Sequence, residues 1–289
     1  MNVKDFPVLR DPILVAAFGG WGDASSVATT SASFMLQKHE VSTLAEFDPE
    51  EYFVLSDTRP HVRLKDGGQR KIQWPSLTLV RGAWENRDVV VLLGPEPQLR
   101  WRTFSRQIAA FWRQHGQGGP AVVLGAFLAG VSHAAPTVLT GFATTVAYRE
   151  KLTEQGINPS GYQGPTGIHS ALMEAFEEEG IEAVSIWAAA PHYLGAMPNP
   201  KACADQLAAV DRFMALGLNL TELRETAATF EKQVGMALAK TGQNLTIAQN
   251  LEAVQGREEP KKEEPAEPLP PAEELVKGVE EFLRQSRPD

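Results

Sequence analysis

Four loops of this chain carry polar side chains directly after apolar runs. They are "GGWGDAS" after Ile13–Phe18, "GPEPQLRWR" after Val89–Leu93, "LAGVSHAAP" after Ala121–Phe127 and "APHYLGAMPNPK" after Ala183–Ala189. In a parallel sheet, ligands collect just past the carboxyl ends of the strands, so Asp23, Glu96, Arg100, His133, His192 and Tyr193 are expected to edge one cleft. The turn "YQGPTGIHS" adds Gly164, Thr166 and Gly167 ahead of a helix. The first N–H groups of a helix have no intrahelical partner and can hold an anion.

Each candidate has a catalytic reading and a plainer one. Gly20, Trp21, Gly22 and Asp23 sit where a phosphate-cradling loop would, but the lysine and hydroxyl of a P-loop are missing. Gly20, Gly22 and Ser25 also depart from the dinucleotide fingerprint at its third glycine. The plainer expectation is a sharp strand-to-helix turn, with Asp23 capping the helix and Trp21 covering the turn or meeting a neighbouring subunit. Glu96, between two prolines, suits acid/base work, but a salt bridge to Arg100 or Arg102 is the stronger expectation. His133 and His192 lack a carboxylate at helical ligand spacing, so they read as hydrogen-bonded residues before bases or metal ligands. No G-x-S-x-G elbow is present, and Cys203 reads as a small buried residue. No catalytic residue, metal site or cofactor is assigned.

The elements that must position these loops alternate. Helical spacing marks Ser25–Lys38, Leu99–Gln114, Ile168–Glu179 and Lys201–Leu216 between the strand-like runs, to which Val138–Ala143 also belongs. This order predicts a three-layer α/β/α sandwich with a mainly parallel sheet. Val62–Leu64, Arg70–Trp74 and Leu77–Val80 alternate instead and are joined by "KDGGQ", which predicts an antiparallel hairpin insertion. The expected organisation is one α/β domain with C-terminal helices over 1–240, a Pro/Glu/Lys-rich linker over 241–272 and a short amphipathic helix and tail over 273–289. That last helix would carry Leu275, Val276, Val279, Phe282 and Leu283 on one stripe. Docking on its own body is the first expectation for it, a partner-binding peptide the second.

Composition narrows the class. The 289 residues, 43% hydrophobic, are enough for a large core, and the single cysteine permits no internal disulfide. No stretch is apolar for the length of a membrane span, and a net charge of −9 has the wrong sign for coating phosphate backbones. The expectation is a cytoplasmic protein that binds neither nucleic acid nor membrane.

Together the stretches "AAFGGWGDASS", "EFDPEEYFVLSDTRPHVRL", "IQWPS", "LLGPEPQLRWRTF", "GVSHAAPTVLTG", "YQGPTGIHSAL" and "SIWAAAPHYLGAMPNPKA" resemble the bacterial branch of the proteasome assembly chaperone 2 family, in order and approximate spacing. The resemblance runs from about Ile13 to Gln233. It implies a fold related to nucleoside phosphorylases, self-association as a homotrimer or other small ring, and a proteasome as a candidate partner. Some bacterial members carry an ATP-grasp or carboxylate-amine ligase label, but no set of lysines, acidic ligands and glycine-rich flap here fits that chemistry. Ring-docking relatives tend to end in a hydrophobic residue, tyrosine and a final residue. This chain ends Arg287-Pro288-Asp289, so the expectation passes that role to the segment around Phe282.

Two functions are therefore expected, in order. The first is a non-catalytic oligomeric interaction protein that assists assembly of a larger complex. The alternative is an enzyme binding a phosphorylated or nucleoside-like small molecule in the post-strand cleft, an analogy from fold.

Overall fold

The computed structural model describes residues 2–3, 7–65 and 68–241. Apart from residue 241, the expected linker and tail helix lie outside the described residues. Nine strands form one sheet: β1 (Asn2–Val3), β2 (Ile13–Gly19), β3 (Glu40–Glu46), β6 (Thr78–Ala83), β7 (Asp88–Pro95), β8 (Ala121–Ala129), β9 (Leu139–Ala143), β10 (Asn158–Pro159) and β11 (Ala183–Pro191). Their spatial order is β1-β3-β6-β7-β2-β8-β11-β9-β10. The remaining pair, β4 (His61–Leu64) and β5 (Arg70–Gln73), makes a separate antiparallel hairpin.

The central four strands are parallel. β2 pairs with β7 from Ile13↔Val89 to Gly19↔Pro95, and β11 pairs with β8 from Ala183↔Ala121 to Pro191↔Ala129. Pairing of β2 with β8 joins the two halves, so the loops after these strands leave the sheet at one edge. The flanking β6 and β9 run antiparallel to their central neighbours. For β9 the reason is length: residues 130–138 are too few for the crossover of about a dozen residues that a parallel return needs. The third run of the expected hairpin set joins the main sheet as β6.

Side-chain alternation divides the core in two. On one face Leu14, Ala16, Phe18, Val90, Leu92 and Val123 pack under helices α3 (Trp101–His115) and α5 (Ile168–Glu178). On the other, Ile13, Val15, Ala17, Val89, Val91, Val122 and Leu124 meet α1 (Val27–Phe34) and α6 (Pro200–Met214). Strands covered on both faces read as nearly continuous apolar runs, which is why these strands were legible. α3 shows the helical counterpart: Phe104, Ile108, Phe111 and Trp112 are buried and its last turn carries Arg113 and His115.

The smaller helix α2 (Pro49–Tyr52) begins at Asp48, whose side chain accepts the Glu50 N–H. Between α3 and α6 lies α4 (Val146–Glu154), and α7 (Thr221–Thr241) packs beside α6. No described helix is long and apolar enough to cross a membrane.

Candidate functional site

The edge where β2, β7, β8 and β11 end holds most of the expected residues. At the end of β2, Gly20 turns the chain at a φ of +136°, a conformation that L side chains rarely adopt. The loop then runs along β8: Ala126 N–H donates to the Gly22 carbonyl at 2.8 Å. Asp23 follows, and its Oδ1 accepts the Ala28 and Thr29 N–H groups at 2.8 and 3.2 Å while Oδ2 accepts the Thr29 hydroxyl. It is the helix cap anticipated from the sequence. Burial raises its pKa against the opposing pull of those hydrogen bonds.

Glu96 has a role that the sequence did not indicate. Its N–H donates to the Gly19 carbonyl at 2.8 Å, and its Oε1 accepts the Ile168 N–H at 2.9 Å. The carboxylate thus caps α5 from 72 positions earlier in the chain, and among the described ion pairs it joins neither Arg100 nor Arg102. This corrects two expectations. Among the described residues Glu96 makes no salt bridge to those arginines, and the anion at the start of α5 is one the chain supplies itself. Gly167 makes the approach possible, since a Cβ there would stand 2.7 Å from Glu96 Oε1.

The first turn of α5 also carries His169, quoted in the turn above but not selected. It is buried, edge-on to Phe18 with ring centroids 5.7 Å apart and 4.7 Å from the Trp187 ring. Neither ring nitrogen has a hydrogen-bond partner among the described residues. Burial pushes its pKa down to about 4 against the opposing pull of the Leu124 backbone, so the imidazole is neutral at physiological pH. Gly22 faces this ring, and a Cβ on it would meet His169 Cε1 at 2.4 Å. The available signal was the conjunction of "GWG" with "TGIH": two glycines that leave room for one ring.

A second cluster forms from the β8 and β11 loops. Tyr193 Oη accepts the His133 backbone N–H and lies 2.8 Å from His133 Nδ1. The direction of this second bond follows the imidazole tautomer, since the phenolic oxygen can both accept and donate. Lys201 Nζ donates to the His133 carbonyl at 2.7 Å and pairs with Glu231 of α7 at 2.9 Å. Burial lowers the His133 pKa, with Glu231 opposing and Lys201 adding to the shift. His192 is exposed and stands edge-on to the Tyr193 ring.

The expected residues therefore fall into two groups. Gly20, Gly22, Glu96 and Gly167 meet around His169 and the turn, with Asp23 beside them, while His133, His192 and Tyr193 join Lys201. Arg100 is exposed at a left-handed φ before α3 and belongs to neither group. Gly164 and Thr166 lie on the loop before α5, where Thr166 hydrogen-bonds Ser170. None of these residues lines either of two cavities among the described residues. One, of about 350 Å³, lies at the junction of α6 and α7 beside Asp211, Arg212 and Arg224. The other, of about 110 Å³, lies between α3 and α5.

The edge presents apolar surface instead. Trp21 is 62% exposed, and Phe127, Leu128, Val138 and Met197 are exposed on strand ends and loops of the same edge. Leu128 pairs in register with Ala190, and the Val138 carbonyl accepts the Ala189 N–H.

A model of the PAC2 family matches residues 17–237. The crystal structure of a Mycobacterium tuberculosis proteasome-assembly chaperone homologue is 32% identical, with a TM-score of 0.73, over 82% of this chain and 99% of that one. A Streptomyces avermitilis PAC2 family protein is 34% identical, with a TM-score of 0.70, over 78% of this chain and 95% of that one. Pyrococcus furiosus PbaB, an archaeal proteasome activator, shares the fold at 15% identity and a TM-score of 0.61, over 81% and 96% of the two chains. These similarities give no support to the ATP-grasp or carboxylate-amine ligase label. No curated protein sequence matches.

Proposed function

Since the chain belongs to the PAC2 family, we propose that it is a non-catalytic interaction protein with a proteasome-assembly-chaperone-like role. It acts in the cytoplasm and self-associates as a homotrimer or other small ring. The observation that carries this reading is the exposed apolar surface at the carboxyl edge of the sheet, formed by Trp21, Phe127, Leu128, Val138 and Met197. Large apolar side chains exposed at one edge of a sheet, a tryptophan among them, favour contact with another protein. The carboxylates nearest that surface, Asp23 and Glu96, are engaged in capping helices. Their oxygens serve the fold, and the edge is left as a contact surface.

The test uses the full chain with purified proteasome α subunits of Mycobacterium tuberculosis, source of one of the similar structures. The expected result is a complex in gel filtration with altered ring-assembly intermediates. Trp21→Ala with Leu128→Asp should weaken it by about tenfold or more, the scale of losing a buried anchor. Absence of any complex at micromolar concentration, with assembly unchanged, overturns the reading.

A further inference from the structure

The junction of α6 and α7 holds a cavity of about 350 Å³, within the range of about 300–1,000 Å³ that small-molecule sites occupy. Ala208, Leu218 and Leu220 give it an apolar wall, and Arg212, Thr221 and Arg224 line the same space with two guanidinium groups and a hydroxyl. Arg87, the residue before β7, donates to the carbonyl of Met214, the last residue of α6. That bond sets this end of α6 beside the amino end of β7, whereas Trp21 follows the carboxyl end of β2.

Charge selects the ligand. The other polar groups of the cavity are engaged by the turn between the helices: Asp211 Oδ1 accepts the Leu218 N–H at 3.0 Å, and Asn219 Oδ1 accepts the Thr221 N–H at 3.1 Å. Glu222, the acidic residue in the first turn of α7, pairs with Lys38 at 2.7 Å. Arg212 and Arg224 are exposed and join no ion pair among the described residues. Two such guanidinium forks suit a dianion, because each presents paired N–H donors to phosphate oxygens. The net field does not draw anions to this protein, since the chain carries −9, so their capture needs a local pair of this kind.

We propose that this cavity binds a small phosphate monoester. Arg212 and Arg224 hold the phosphate, and the organic part lies against Ala208, Leu218 and Leu220. The site is separate from the contact surface proposed above, and its failure would leave that reading untouched.

The experiment is isothermal titration calorimetry of the full-length protein with phenyl phosphate, inorganic phosphate and benzoate. Phenyl phosphate is expected to bind at one site with a Kd of about 1 mM or tighter. Inorganic phosphate lacks the apolar part and benzoate the second charge, so each should bind less tightly. Arg212→Gln and Arg224→Gln should each weaken phenyl phosphate by about tenfold or more, the scale of a lost charge-assisted hydrogen bond. Both side chains are exposed, so circular dichroism should show an unchanged fold. Arg102→Gln, at the cavity between α3 and α5, should bind as wild type does. No binding of phenyl phosphate at about 10 mM overturns the proposal. Benzoate or inorganic phosphate binding as tightly as phenyl phosphate overturns the assignment to a phosphate monoester. Variants at 212 and 224 that bind like wild type, or an equal loss in Arg102→Gln, would mean adventitious anion binding outside the cavity and overturn it as well.

Discussion

Glu96 Oε1 lies 2.9 Å from the backbone nitrogen of Ile168 and so caps a helix that begins 72 positions later in the chain. This bond ties the turn after β7 to α5, and the glycine at 167 leaves it room. Glu96→Ala is expected to cost about 1 kcal/mol, the usual scale of a lost N-cap, and Glu96→Gln about half as much because an acceptor remains. Arg100→Ala should stay within about 0.5 kcal/mol of wild type, since that side chain is outside the contact. Urea unfolding of the three variants checks this; an Arg100 effect as large as that of Glu96 would restore the salt bridge.

Gly22 is fitted to His169. A Gly22→Ala change drives a methyl into the imidazole and should destabilise by about 1–3 kcal/mol, as overpacking does. Adding His169→Ala should recover part of that loss, so the double variant is less damaged than the singles predict. Thermal unfolding of the four-member cycle reads this coupling, and strict additivity would mean that the two residues do not meet.

Stability should fall as pH drops from about 6.5 to 4. The unfolded His169 titrates near its ordinary value, whereas the buried ring holds off its proton until about pH 4. The contribution is therefore fully present above the unfolded pKa and lost as pH falls through the native one, amounting to about 3 kcal/mol. His169→Gln should flatten the slope by about one proton. Denaturant titrations at stepped pH give that slope for both proteins, and equal slopes would refute the assignment.

Asp88 is fully buried and accepts from Arg10 N–H at 2.8 Å and from Arg81 Nη2 at 2.9 Å. Asp88→Ala removes the charge on which Arg81 depends and should cost about 3–5 kcal/mol. Chemical denaturation measures it; a loss under about 1 kcal/mol would show that the pair is worth no more than a surface bridge.

What could be read in the chain, and what could not, follows from range. The strands β2, β7, β8 and β11 announced themselves because burial on both faces leaves their runs almost wholly apolar, with Asp88 and Ser185 the buried polar exceptions, and Cys203 was rightly placed in the core. Asp23 as a cap was legible because its partners Ala28 and Thr29 are close in sequence. β3 was not, since five of its seven residues are exposed and no alternation survives there. Neither was α4, where a weak apolar stripe buries only Leu152.

The sequence by itself determined the layers, the central strands and the turn residues, all consequences of local periodicity and short-range hydrogen bonding. Only the tertiary structure decided that Glu96 serves α5, that His169 is buried between Gly22 and Trp187, and that the expected cleft residues divide into two groups. The physical reason is that pairing register and side-chain contact join positions tens of residues apart, and a single chain carries no local mark of which distant atom will arrive.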